Sequence, residues 1–169
     1  MVTETTSVLD DVRAAVARVR DPEIPAGTIA DLGMIHDVRV AGDAVEIELL
    51  PTFVGCPAKD VIGEDVRRAA EPVADRPVGV RFVYDPPWTT DRITEQGRAR
   101  LREFGIAPHW ERGPEPVPIP LLSRAGVQCP FCGSEETVMD SAWGVTPCRS
   151  THYCRSCRNP FEGFKTKSL

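Results

Sequence analysis

The chain has 169 residues, six of them cysteine, with 41% hydrophobic and 27% charged residues and a net charge of −5. This is the profile of a soluble globular protein with room for one ordinary domain, or for a small domain plus an appendage. Residues 1–126 carry 15 Lys and Arg against 21 Asp and Glu, and residues 127–169 carry 5 against 4, so there is no basic arm to bind nucleic acid or an anionic membrane surface.

The N-terminus has neither a cationic nor an apolar leader segment, and no apolar run is long enough to span a bilayer. The expected compartment is the cytoplasm. In that reducing environment six cysteines favour metal ligation or reactive thiols over disulfides.

In chain order, Ser7 opens a helical pattern with Val8, Val12, Ala15, Val16 and Val19 on one stripe and Asp10 and Asp11 in the expected first turn. Asp21-Pro22 closes it, because the residue before proline avoids the helical region. Asp21-Pro22-Glu23-Ile24-Pro25 is then a stiff loop presenting two carboxylates, which in isolation reads as a solvated turn. Asp31-Leu32-Gly33 is a tight turn leading into a strand. From Met34 the residues alternate, with His36, Val38 and Val40 on one face and Ile35, Asp37 and Arg39 on the other; Gly42-Asp43 makes the turn, and Val45, Ile47 and Leu49 return on the buried face. His36 is therefore expected on the apolar face.

Pro51-Thr52-Phe53-Val54-Gly55-Cys56-Pro57 joins this hairpin to a second helix whose stripe is Ala58, Val61, Ile62, Val66 and Ala69, ending before Pro72. Cys56 is the one cysteine outside the last third of the chain. A thiol at the first turn of a helix faces free N–H groups and the positive end of the dipole, which favour thiolate; the alternative is a small apolar residue buried under the helix. Val78, Val80, Phe82 and Tyr84 form a third strand, interrupted by Asp85-Pro86-Pro87-Trp88. Thr90 or Asp91 caps a last helix with Ile93, Gly97, Leu101 and Phe104 inward, Arg98, Arg102 and Glu103 on a solvated side, and Gly105 as its stop. The fold class is α+β: a small α-β-β-α-β-α domain over residues 1–105, then a proline-rich linker over 106–126.

Residues 127–169 contain two knuckles, Cys129-Pro130-Phe131-Cys132-Gly133 and Cys154-Arg155-Ser156-Cys157-Arg158, with 21 residues between them. The spacing is that of a zinc ribbon: each pair turns two sulfurs toward one metal, and Gly133 lets backbone N–H groups approach the thiolates. Strands are expected at Thr137 to Trp143, Ser150 to Tyr153 and Pro160 to Phe164. So short a module cannot bury enough core alone, and metal binding supplies much of its folding free energy. Cys129, Cys132, Cys154 and Cys157 already complete a shell, so Cys148 and His152 are not expected to ligate. A four-cysteine site also accepts iron or an iron–sulfur cluster.

Over nearly its full length the chain resembles a known family. Asp21-Pro22-Glu23-Ile24-Pro25, Asp31-Leu32-Gly33 and Thr52-Phe53-Val54-Gly55-Cys56-Pro57 resemble, in order and spacing, the SufT-type metal–sulfur cluster assembly domain. With Tyr84-Asp85-Pro86-Pro87-Trp88 and a C-terminal cysteine ribbon that includes Cys148, the whole is similar to the PaaD-like accessory proteins of the phenylacetyl-CoA monooxygenase (1,2-epoxidase) system. The resemblance implies a non-catalytic role in the aerobic phenylacetate pathway, assisting maturation of an iron–sulfur or di-iron centre in an oxygenase or reductase component, alongside iron–sulfur assembly proteins. It makes Cys56 the transient ligand of iron or a cluster, with Thr52, Asp21 and Glu23 as supporting polar residues. The departures from the family pattern are Phe53-Val54, more apolar than usual, and Thr151-His152 before the third ribbon cysteine.

A single thiolate cannot enclose a cluster, so Cys56 needs partners from a second subunit of a homodimer or from a client protein. Three other readings compete. Cys56 is inert in a purely structural or docking subunit; or it is a nucleophile with His36, the one histidine of that domain, as its base; or the ribbon binds nucleic acid, which its near-neutral charge opposes.

Overall fold

The computed structural model describes residues 2–24, 27–108 and 127–165. Its elements are α1 (Val2–Val16), β1 (Ile35–Ala41), β2 (Ala44–Leu49), α2 (Lys59–Ala70), β3 (Val78–Phe82), a 3-10 turn (Thr90–Arg92), α3 (Glu95–Glu103), β4 (Ile106–Ala107), β5 (Thr137–Ser141), β6 (Arg149–Cys154) and β7 (Pro160–Phe164). This is the α+β order expected from the sequence.

The first sheet has the order β1-β2-β3. Gly42, at φ +64°, makes the hairpin turn between antiparallel β1 and β2, and α2 is the crossover that brings β3 back parallel to β2, pairing Val45 with Val78 and Leu49 with Phe82. One face of the sheet is apolar: Val38, Val45, Ile47 and Leu49 share a core with Val12 and Val16 of α1 and Ile62, Val66 and Ala70 of α2. The other face carries charge, with Arg39 paired to Glu46 at 2.6 Å and Glu48 at 2.7 Å, and Arg81 paired to Glu48.

Several local expectations are corrected. Helix α1 already runs from Val2, which places Asp10 and Asp11 in its interior, and after Val16 the chain continues to Val19 only as hydrogen-bonded turns. His36 is exposed, because the β1–β2 register shifts between Ile35 and Asp37: the bulge turns His36 outward and packs Ile35 against the core. Val61 is 53% exposed, the α2 stripe passing through Ile62, Val66 and Ala70 instead. The cap of α3 is Thr94, whose hydroxyl accepts from Gly97 N at 3.0 Å; Thr90 and Asp91 belong to the 3-10 turn that precedes it, and Phe104 is exposed.

Asp31-Leu32-Gly33 anchors α3. The Asp31 carbonyl accepts from Thr94 N at 2.9 Å, its carboxylate accepts from Thr28 N at 3.0 Å and pairs with Arg100 at 2.5 Å, and Leu32 O accepts from the Trp88 indole at 2.7 Å. Gly33 sits at φ +65° where a Cβ would lie 2.2 Å from the Arg92 carbonyl oxygen, so close packing and backbone sign both require glycine.

The second sheet has the order β4-β7-β6-β5, the antiparallel ribbon plus one short strand. That strand, Ile106–Ala107, stands at the start of the segment assigned to the linker and pairs parallel with Glu162 and Gly163. The rest of that segment, 109–126, lies outside the described residues, as does Pro25. The ribbon shares the first domain's core: Phe164 is 1% exposed and meets the Trp88 ring at 5.7 Å, and Ile106 and Cys148 belong to the same buried cluster.

Candidate functional site

The four knuckle sulfurs lie within 4.8 Å of one another. Cys129 Sγ is 3.6 Å from Cys157 Sγ, and Cys132 Sγ is 3.6 Å from Cys154 Sγ. Zn–S bonds of about 2.3 Å in a tetrahedron give S–S edges of about 3.8 Å, so the set fits one ion. The two knuckles repeat one backbone design: Cys129 N donates to Ser134 O and Gly133 N to Cys129 O, while Cys154 N donates to Asn159 O and Arg158 N to Cys154 O. Gly133 at φ +73° and Arg158 at φ +61° are equivalent positions, and the second knuckle places a non-glycine residue in the left-handed region.

Burial pushes the Cys129 thiol up to about 12. Burial opposes ionisation of Cys157 as well, but the Asn159 backbone and side-chain N–H groups and the neighbouring thiols bring it down to about 6. A metal entering the site must therefore displace protons, which ties affinity to pH. His152 is outside this group: its Nε2 lies 2.9 Å from Ser150 Oγ and its ring stacks on Phe161 at 5.3 Å.

The second cluster forms where the two domains meet. The Phe53 to Cys56 turn is closed by Cys56 N donating to Phe53 O at 3.0 Å, and α2 begins only at Lys59 after the cap residue Ala58. Cys56 thus precedes the helix, and it is 9% exposed. Burial raises its pKa, outweighing the hydrogen bond from Ala58, and the charges of Glu23, Asp21 and Cys148 push the same way. Of the two readings of the sequence, a helix-activated thiolate and a small residue buried under the helix, the fold makes the buried thiol. Lys59, the nearby cation, is engaged by Val54 O at 3.2 Å and Tyr84 Oη at 2.9 Å.

Asp21 is 4% exposed, and its Oδ1 accepts from Glu23 N at 2.8 Å and Ile24 N at 3.0 Å. The Asp-Pro-Glu loop is therefore folded inward on its own carboxylate, and burial raises the Asp21 pKa despite those two bonds and the charge of Arg149. Thr52 is buried at the start of the Cys56 loop. The ribbon supplies the remaining wall: Cys148 Sγ lies 3.1 Å from Thr146 Oγ1, and Arg149 donates to Thr146 Oγ1 at 2.8 Å, Glu162 Oε2 at 2.7 Å and Glu23 O at 3.3 Å. Burial also raises the Cys148 pKa, and Asp21 and Glu23 act on it as they do on Cys56. The fold thus brings Cys56, Asp21 and Glu23 within electrostatic reach of one another and of Cys148, with Thr146 and Arg149 on the ribbon side. His36 has no place among them, being exposed on the β1 bulge.

Known proteins match both halves. Residues 9–81 match the family described as iron-sulfur cluster assembly protein, and residues 114–165 match the PaaD zinc beta ribbon domain. An Escherichia coli K12 protein provisionally named as one of the subunits of 1,2-phenylacetyl-CoA epoxidase is 38% identical over 161 residues, covering 92% of this chain and 91% of that protein. An Fe-S protein maturation auxiliary factor of Porphyromonas gingivalis W83 is 35% identical over 94 residues, covering 54% of this chain and 89% of that protein. Among solved structures, the DUF59 domain of unknown function from Bacillus anthracis superposes with a TM-score of 0.54 at 25% identity, covering 60% of this chain and 97% of that one. With the two domains in that order and likeness to an epoxidase component across nearly the whole chain, the chain belongs to the PaaD family.

Proposed function

We propose that the protein is a non-catalytic accessory factor of aerobic phenylacetate degradation that helps mature, or delivers iron to, an iron–sulfur or di-iron centre of the phenylacetyl-CoA epoxidase components. The observation that carries this reading is that buried Cys56 lies within electrostatic reach of buried Asp21 and of half-buried Glu23. A nucleophilic enzyme needs a thiolate or a base to make one; here burial holds the thiol neutral, and His36, the base that reading required, is turned outward on the β1 bulge. A neutral thiol that ionises only on meeting a metal suits a ligand that binds and releases. The names of the relatives, which include Fe-S maturation auxiliary factors, support an accessory role.

In this reading zinc occupies Cys129, Cys132, Cys154 and Cys157 as a resident structural ion, and iron or a cluster at Cys56 is cargo. The partners are oxygenase or reductase components and iron–sulfur assembly proteins, with homodimerisation as one way to complete the cargo site, and the compartment is the cytoplasm. Among the described residues, no helix is long and apolar enough to cross a membrane. The test is the iron and sulfide content of the epoxidase components purified from cells expressing Cys56→Ser at normal protein levels. A fall of tenfold or more is expected. Unchanged content would return Cys56 to the structural reading.

A further inference from the structure

The two thiols outside the ribbon's four-sulfur site belong to different domains and far-separated stretches of sequence, yet they share one buried cluster. Cys56 is 9% exposed and Cys148 6%, and both contact the core that contains Trp88 and Phe164. The position of Cys148 is fixed independently by its own surroundings. Its carbonyl accepts from Lys165 N at 3.0 Å, its sulfur meets Thr146 Oγ1 at 3.1 Å, and the next residue, Arg149, reaches across to Glu23 O at 3.3 Å. Lys165 lies over the Phe53 ring, in the Cys56 loop, with 5.8 Å from Nζ to the centroid. These contacts place the ribbon's Cys148 strand end against both the Asp21–Ile24 loop and the Phe53–Cys56 turn.

We infer that Cys148 is a second thiolate ligand for the cargo held at Cys56, so that the ribbon completes a two-thiolate site for a thiophilic iron centre between the domains. The inference rests on the accessory reading above and adds the partner ligand that one cysteine lacks. Two soft sulfurs select iron or zinc-like ions over magnesium or calcium. Binding a divalent ion transfers the two thiol protons to water as two metal–sulfur bonds form, with no change of oxidation state. Two thiolates hold an ion less completely than the ribbon's four, so the site can exchange it with a client while the ribbon keeps its own.

The test is anaerobic titration of the zinc-loaded full chain with Co(II), which ranks below zinc in affinity for such ligands and leaves the ribbon occupied. Retained zinc is measured beside the sulfur-to-cobalt charge-transfer absorption. One further equivalent of Co(II) is expected, with absorption falling by about half in Cys56→Ser and in Cys148→Ser and vanishing in the double variant. In the unmutated protein, Co(II) is expected to slow iodoacetamide labelling of Cys56 and Cys148 together, by tenfold or more, a readout that needs no variant to fold. The inference is overturned if Cys148→Ser leaves the band intact, if Co(II) protects Cys56 and not Cys148, or if no second thiolate-bound Co(II) appears. Each of these results leaves the epoxidase iron measurement, which decides the accessory reading, standing on its own.

Discussion

Arg149 of the ribbon donates through Nη2 to the main-chain carbonyl of Glu23 at 3.3 Å, joining β6 to the Asp-Pro-Glu loop of the other domain. The same guanidinium binds Glu162 and Thr146, so one buried cation fixes the Cys148 strand end and the carboxylate loop together. Replacing Arg149 with Ala leaves Glu162 without its ion-pair partner and the Glu23 carbonyl without a donor. We expect a cost of about 2–4 kcal/mol, read as a lower thermal midpoint, together with faster alkylation of Cys148 as the ribbon loosens from the first domain. Lys at the same place supplies charge without the fork and should recover less than half of the loss.

Removing the ribbon's metal should unfold the ribbon and spare the first domain. The apolar cluster peculiar to the ribbon consists of Ala107, Val127, Cys129, Cys154 and Phe161, two of which are metal-site cysteines. That is too little to offset the ordering of its strands, whereas a structural zinc contributes about 10 kcal/mol or more. Chelation, or Cys154→Ser, is expected to abolish the β5–β7 amide protection in hydrogen exchange while that of β1–β3 persists. Acid should release the metal before it unfolds the first domain, because the buried Cys129 thiol, pushed up to about 12, regains its proton readily.

Cys56 should be a slow thiol. Its folded pKa is raised by burial first and by Glu23, Asp21 and Cys148 second, so at neutral pH it is protonated more completely than a free cysteine. Iodoacetamide labelling of Cys56 in protein whose ribbon is zinc-loaded is expected to be slower than that of a free thiol at pH 7 and to reach its half-maximal rate above about pH 8.5. A raised folded pKa contributes stability that is complete below the unfolded value and lost as pH rises through the folded one. The thermal midpoint should therefore fall as pH rises above about 8.5, and fall less when Cys56 and Cys148 are both replaced by Ala. Fast labelling at pH 7 would contradict the burial.

The anchoring of α3 gives a steric and an acid-side prediction. A Cβ at Gly97 would lie 2.4 Å from the Asp31 carbonyl oxygen. Alanine gains about 1 kcal/mol over glycine inside a helix, but a clash with fixed backbone outweighs that, and Gly97→Ala is expected to lose about 1–3 kcal/mol net in denaturant unfolding. For Asp31, burial raises the pKa, but the hydrogen bonds from Thr28 and the Arg100 guanidinium hold the carboxyl below its usual range. A depressed folded pKa contributes stability above the unfolded value and loses it as pH falls through the folded one. The stability difference between the unmutated protein and Asp31→Asn should accordingly be present at pH 7 and shrink below about pH 4.

Much of this was legible in the residues. The order of helices and strands, the ribbon, its four ligands and the special place of Cys56 follow from periodicity, turn residues and paired cysteines, all local in sequence. What went astray was also local in form but global in cause. His36 follows the strand alternation until one bulge displaces it, and Val61 fits an apolar stripe until packing selects Ile62 and Val66 instead. Thr90 and Asp91 have capping chemistry, yet the cap is Thr94, because Asp31 holds the Thr94 backbone and the helix starts there.

The sequence alone therefore picked out the four cysteines whose sulfurs the fold gathers, since each knuckle is local in sequence. The tertiary structure decided the state and company of Cys56. Position beside a helix suggested an activated thiolate, but ionisation depends on burial and on neighbouring charges, and these come from the Asp21 loop and from Cys148 of the ribbon. Segments so distant in sequence meet where the ribbon packs Phe164 against Trp88 and Arg149 binds Glu23 O, and no local pattern encodes those contacts.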